Sequence, residues 1–572
     1  MISLNFVSFL LSFILVSISV LGYGFFFLKF NNLKNNINFG YIGIFGIFVL
    51  IFYSYLSNLI VSHSQLHNSV ILFIGIFFFI LYFKELLIKF NLRNDVFLFS
   101  LIFPLLFVSI LIIKNHDDFS YYHFQYTYYL TQESFNFGVG QFNHGFRTPS
   151  SIFYLNSLFY LPFVDYHLFN FSSVLILGFA NIILLNKIGI SYKKNSYTKA
   201  KDQSQFFIKY LSLFCLIFIN IFFYRISEHG TDRSAQILIL ILIIEILDFF
   251  LKRNFDKSKL VFLFTLFGLI VSLKALYFLY LVFLIPIFSF ILNNKKTITK
   301  TLKELFLNRY FLFVLLLLLL VIFSYLSNTG CLLYPLKISC FEELSWAIPL
   351  SEVTHMNNWY ELWSKGGANP NYRVGNPEEY IRGFNWLSNW FNEYFFNKVS
   401  DFIIGILFVI IVFLAFFYRP SLKKIKNKHD KYVIFTFFLL IIIFCEWFYN
   451  HPSLRYGGYS VIALLFFIPS SIFLSNYNIS LKKFNHFAVI LTILAVTIFL
   501  LRNINRIDKE ITKYNYKPLK ETYYSINKKY FILQNNMNDL KDNYENCQNI
   551  KIDCDLDKKK LNKINSKYIF KY

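Results

Sequence analysis

The sequence predicts an all-α polytopic membrane protein, and three observations carry that prediction. Of the 572 residues, 56% are hydrophobic and only 15% are charged. Apolar runs of about 17–25 residues recur from one end to the other, the length a helix needs to cross a hydrocarbon core. The runs are continuous rather than alternating, which excludes the pattern of a membrane β-barrel. Lipid offers the backbone no hydrogen bonds, so only helices and closed barrels span it. Helices remain.

Fourteen apolar helices are expected, near 3–28, 39–62, 69–83, 96–113, 168–186, 210–224, 235–251, 260–273, 275–292, 311–326, 401–418, 433–449, 460–475 and 486–501. The first lacks a basic leader and is too long for a signal peptide's apolar core, so it is read as retained. Segment 151–164 is apolar too. A crossing there would turn every later basic loop to the other side, so it is read as a juxtamembrane or re-entrant helix.

Orientation follows from charge. The connections 29–38, 84–95, 187–209, 252–259, 293–310, 419–432 and 476–485 hold 28 of the 55 Lys and Arg. The alternate connections 63–68, 114–150, 225–234, 274 and 450–459 hold six. Basic loops stay in the cytoplasm, so the alternate set faces out. The same rule accounts for the net charge of +23. No zinc-finger spacing or RNA-binding signature accompanies it, and no nucleic acid is expected. The cytoplasmic loops are basic and otherwise featureless.

Three regions result: N-terminal helices over 1–94, a main membrane region over 95–501, and a polar tail over 502–572. The main region carries a first outer loop, 114–167, and a large outer loop, 327–400. The tail has 16 basic and 9 acidic residues and is read as a small helical or partly disordered appendage. Two close cysteine pairs, Cys331 with Cys340 and Cys547 with Cys554, lie in outer segments. They are either disulfides, which persist in compartments such as the periplasm, or free thiols. Cys215 and Cys445 lie within helices, as small hydrophobes.

The unusual polar residues cluster on the outer side. Asp117 and Asp118 stand in KNHDDFSYYH, where an apolar helix ends. Glu228, His229 and Asp232 stand in RISEHGTDRSAQ, again at an outer helix end. Each acid could simply cap a helix through backbone N–H groups. Charge at a membrane boundary is costly, however, and marks a functional candidate. A carboxylate at the edge of an apolar environment has a raised pKa and suits general base work. The same carboxylates could hold a divalent cation. No metal site is predicted, because the histidine spacing matches no ligand motif.

Outer basic residues are few. Lys274 interrupts LIVSLKALYF, and Arg455 stands in NHPSLRYGGYS. With Arg147 they could bind phosphate, since guanidinium forks match its oxygens. The plain alternatives are a snorkelling lysine and contact with lipid headgroups. His123, Glu228, His229, Trp346 and Trp359 are candidates for contacts to a sugar or acceptor, because aromatic faces with polar neighbours suit sugar rings. Trp386 and Trp390 read as one face of an amphipathic helix lying on the membrane.

Taken with their order, HFQ…GVGQFNHGFRTPSSIFYLNSLF and TGCLLYPLKISCFEELSWAIP give the chain a likeness. It resembles the GT-C class of polytopic membrane glycosyltransferases, in the branch that includes protein O-mannosyltransferases and lipid A aminoarabinose transferases. Within that class it is most similar to an uncharacterised bacterial branch. The likeness spans roughly 95–460. It implies a polyprenyl-phosphate-linked sugar donor, a lipid or glycan acceptor at the periplasmic face of the bacterial inner membrane, and inversion at the anomeric carbon. It implies a catalytic role for Asp118 or Asp117, assisted by Asp232, with the donor phosphate on Arg455 or Lys274. The alternative is a transporter or flippase of a lipid-linked or small substrate, which would show internal repeats and polar breaks near the bilayer midplane.

Overall fold

Each long apolar run folds as a helix. The computed structural model describes residues 6–33, 37–189, 203–228, 230–252, 257–294, 309–368, 374–418, 430–477, 479–520, 524, 526–550, 560–564 and 567–571. Thirteen of its helices are long and apolar enough to cross a membrane, and the remaining run forms the shorter helix Ser258–Leu273. The protein is a multi-pass, all-α membrane bundle. Several helices begin where a short polar side chain accepts a backbone N–H of the first turn: Asn38, Ser64, Asp430 and Ser480.

The helix Gly230–Lys252 is apolar on every side and buried along nearly its whole length. Such a helix belongs in the middle of a bundle. Helices Phe171–Ile188, Gln203–Phe222 and Lys257–Leu273 pack around it. The first three helices form a tighter group. A Cβ on Gly22 would lie 1.8 Å from the Gly75 carbonyl oxygen, and one on Gly46 would lie 1.9 Å from that of Val20. Small residues let these backbones touch, the usual basis of helix contact where lipid removes the hydrophobic drive.

Segment 151–164 starts with the buried helix Ser151–Ser157 and continues as turns. Seven residues rise only about 10 Å, too little to cross. Cys331 and Cys340 form a disulfide. Cys554 lies outside the described residues, as does the side chain of Cys547.

Three expectations are corrected. First, no boundary falls at 502: the helix Leu481–Tyr514 runs through it. The rest of the tail returns to grip the first outer loop. Strands Leu561–Ile564 and Lys567–Phe570 form an antiparallel hairpin. Phe137 joins its edge, donating to the Tyr568 carbonyl at 3.0 Å and accepting from Phe570 N–H at 3.0 Å. Lys541 pairs with Glu133 at 2.6 Å. Second, Trp386 and Trp390 are buried rather than laid on a surface. Their turn continues into the apolar helix over Leu387–Phe417. Third, the end opposite the outer loops is not featureless. Lys187 bridges Glu245 at 2.9 Å and Asp248 at 2.6 Å, Lys259 joins Asp248, and Tyr41 donates to Glu245 at 2.7 Å. Both acids sit on the central helix, one turn apart.

Candidate functional site

Four charged residues from four separate segments meet at one end of the bundle. Asp232 lies in the first turn of the central helix. Lys274 is an extended residue between the helix Lys257–Leu273 and the 3-10 turn that starts at Ala275. Arg455 lies on the short turn Leu454–Tyr456, and Asp118 precedes the wide turn Phe119–His123. Lys274 Nζ lies 2.5 Å from Asp232 Oδ1. Arg455 bridges the two acids, donating through Nε to Asp232 Oδ2 and through Nη2 to Asp118 Oδ2. The four formal charges cancel, which is what allows them to sit at a largely buried place.

The local chain is built to hold Arg455. Trp390 donates to the Pro452 carbonyl at 3.0 Å, and Trp447 to that of Ser453 at 2.9 Å. The Tyr394 hydroxyl accepts from Leu454 N–H at 2.9 Å. Gln236 donates to the Arg455 carbonyl at 3.2 Å and accepts from Ser460 N–H at 3.1 Å. Gly457 turns the chain with φ +100°, and a Cβ on Gly458 would come within 2.4 Å of Trp447. Only glycine suits the first position without strain.

Asp118 is held from both sides. Glu510, on the last long helix, accepts from the N–H groups of Ile113 at 2.6 Å and Lys114 at 3.0 Å. Beyond it, Phe119 enters an aromatic cluster with Phe124, Phe169, Tyr524 and Tyr530. Gln125 donates to the Lys529 carbonyl and accepts from Leu533 N–H, both at 3.0 Å. The tail thus fixes the loop that carries Asp118.

Electrostatics correct the expectation of a raised carboxylate pKa. Burial pushes the Asp118 carboxyl up, but the Arg455 guanidinium outweighs it and holds it below the usual range. Burial keeps His116 below its ordinary value, and takes His123 down to about 3. His116 Nδ1 accepts from Asp118 N–H at 3.2 Å, so a neutral ring stands beside the carboxylate. Burial lowers Lys274 against the pull of Asp232, and Arg455 is raised well above its ordinary value by Asp232, Tyr122 and Asp118, which outweigh burial. At rest Asp118 is an ion-pair partner and a weak base.

The helix Leu350–Lys365 of the large loop lies over this group. Trp363 packs on Tyr456 at 5.6 Å, and Lys274 Nζ stands 4.6 Å from the same tyrosine ring. Trp359 is partly exposed beside His144 at 5.9 Å. Next to Tyr456 a narrow, mostly apolar crevice with room for about one water lies between Tyr277, Trp447 and His451. The Tyr277 hydroxyl and His451 Nδ1 are buried with no hydrogen-bond partner among the described residues. Buried polar atoms are rarely left so, and a water in the crevice would satisfy them.

The other predicted residues stand elsewhere. Asp117 is exposed. Arg147 is buried and committed to Tyr334 at 2.7 Å and Glu352 at 3.0 Å, so it is not offered to a phosphate. Glu228 is consumed by Arg225 and Arg506 rather than held for an acceptor. Trp346 donates to the Leu326 carbonyl at 3.0 Å and packs on Phe137 at 4.4 Å, which makes it a structural contact. His123 is buried between Tyr122 and Phe153. His229 lies outside the described residues. Among those residues no group of three or more His, Cys, Asp or Glu side chains is arranged to hold a metal ion. Trp363, like Trp346 and Trp359, was legible as an aromatic face among polar neighbours, whereas sequence reasoning missed Tyr456 and Gln236. Tyr456 was adjacent to a chosen residue, and Gln236 carried no signal.

Residues 6–462 match the family described as a domain of unknown function, DUF8201. No curated protein and no solved structure matches the chain.

Proposed function

We propose that this chain, which belongs to the DUF8201 family, is a membrane glycosyltransferase. It moves a sugar from a polyprenyl-phosphate donor to an envelope acceptor, at the periplasmic face of a bacterial inner membrane. The observation that carries this reading is the meeting of Asp118, Arg455, Asp232 and Lys274. Two cations and two carboxylates are what transfer from a phosphate-linked sugar requires: a base for the acceptor and positive charge for the leaving group.

The resting ion pair suggests an order of events. The donor phosphate competes for Arg455, and Asp118 loses the partner that keeps it acidic. Its carboxylate then takes the proton of an acceptor hydroxyl. That oxygen bonds to the anomeric carbon, and the carbon–oxygen bond to phosphate breaks with its electron pair remaining on the phosphate. Attack from the face opposite the leaving group inverts the centre. Arg455 and Lys274 meet the released charge, while Asp232 holds both in place. Trp359 and Trp363 offer ring faces to the sugars.

Transport is the second reading. It is favoured by the acidic pair Glu245 and Asp248 at the far end of the helix that carries Asp232. The two clusters are about 20 Å apart along that helix.

The test uses purified protein in lipid with a panel of polyprenyl-phosphate sugars and envelope lipid extract. Wild type is expected to release polyprenyl phosphate, and Asp118→Asn to release it at least about 100-fold more slowly, the scale of a lost general base. Unimpaired release by Asp118→Asn would remove Asp118 from the chemistry. No release from any donor by folded wild-type protein would overturn the transferase reading in favour of transport.

A further inference from the structure

The outer connections are poor in basic residues, yet four arginines gather at one point beside the candidate site. Arg225 comes from the turn between two helices, Arg233 from the first turn of the central helix, and Arg502 and Arg506 from the last long helix. Arg502 and Arg506 stand four residues apart, on one helix face, where like charges repel. Their guanidinium carbons lie 4.4 and 5.9 Å from the Tyr224 ring centroid.

The counter-charge is incomplete. Both oxygens of Glu228 are taken, one by Arg225 and one by Arg506. Glu510, the next acid, is committed to two backbone N–H groups. Among the described residues no carboxylate pairs with Arg502, whose hydrogen bond goes to the Ile221 carbonyl at 2.7 Å. Arg233 Nη1 is buried without a hydrogen-bond partner among the described residues. Among the described residues, Glu228 is thus the one carboxylate that forms ion pairs with these four arginines.

The surroundings identify the missing anion's carrier. Arg502 is exposed at the end of a helix face that shows Ile493, Leu494 and Leu501 to the outside, at 59%, 49% and 60% exposure. The neighbouring helix Ser400–Phe417 exposes Ile404 and Phe408 at 63% and 65%. These apolar faces meet acyl chains. The arginines end them at the level of the headgroups, with Tyr224 as the amphipathic ring typical of that level.

We propose that Arg225, Arg502 and Arg506 form a binding site for the phosphate of an anionic membrane lipid. Guanidinium forks bind phosphate oxygens bidentately, and a lipid places its phosphate at this depth with its chains along the exposed apolar face. The site does not depend on the glycosyltransferase reading. Through Glu228, Arg506 and Glu510 it adjoins the segment that leads to Asp118.

The experiment reads binding, not turnover, so it stands whether or not transfer is found. Full-length protein is delipidated in neutral detergent and titrated with phosphatidylglycerol, and separately with phosphatidylcholine. Bound lipid is counted by native mass spectrometry. Wild type is expected to prefer phosphatidylglycerol, and Arg502→Gln to weaken that binding about tenfold while phosphatidylcholine is unaffected. Arg502 has one backbone hydrogen bond to lose, so the fold is retained; Arg225→Gln provides a second, independent loss. Equal binding of phosphatidylglycerol by wild type and both variants would overturn the proposal. So would displacement by inorganic phosphate without any preference for the anionic lipid, which would mark a site for a soluble anion.

Discussion

Replacing Arg455 by glutamine is expected to cost about 3–5 kcal/mol of stability, the range for breaking a buried charge pair from one side. The value should fall near the lower end, because Asp118 keeps 22% of its side chain exposed. Among the described residues Arg455 is the one cation that touches both acids. Without it Asp232 retains Lys274. Among the described residues Asp118 retains the contact with His116, at 3.4 Å, and burial keeps that ring neutral. Two carboxylates then share a poorly solvated place, and the Asp118 pKa must rise. Removing the stranded charge should restore part of the loss. The double variant Arg455→Gln/Asp118→Asn is therefore expected to be less destabilised than the sum of its parts, by about 1–3 kcal/mol. Thermal unfolding of the four proteins in one detergent measures this. Strictly additive losses would show that Asp118 does not depend on Arg455.

The same cluster shows what a sequence of this kind reveals. Asp118, Asp232, Lys274 and Arg455 were legible because each interrupts or ends an apolar run, where charge is costly without a purpose. Their pairing was not legible. Nothing in the chain says that residue 455 bridges residues 118 and 232, and so nothing says that Asp118 is held acidic. Glu228 has the same surroundings in sequence as Asp232. Its partner Arg506 lies in a stretch whose mixed charge reads as solvated tail. That tail hid a further feature: Gln125 sits within a motif taken for its likeness, but its side chain is spent on Lys529 and Leu533. Helices were readable because lipid admits few alternatives. Long-range polar contacts were not, since they depend on which faces the bundle brings together.

Acid is expected to destabilise the protein well above the range where carboxylates titrate. Burial takes His63 and His123 down to about 3, and His167 and His451 down to about 4. The folded chain keeps these rings neutral, whereas in the unfolded chain they take protons near pH 6.5. Between those values the unfolded state binds more protons, so stability rises with pH. It is fully present above about pH 6.5 and falls as pH drops toward the folded values. At pH 5 each ring forfeits about 2 kcal/mol, and the four together about 8 at most, because the unfolded chain is not fully solvated. Asp118 does not contribute in this window. Its folded pKa is depressed, so its stabilisation is intact above about pH 4 and lost only below that. Unfolding midpoints measured from pH 7.5 to 5 should therefore fall steadily. His123→Phe, which puts an apolar ring between Tyr122 and Phe153, should flatten the slope by about a quarter. A midpoint unchanged between pH 7.5 and 5 would mean that these four rings already meet water, and that the aromatic packing around His123 is looser than its contacts imply.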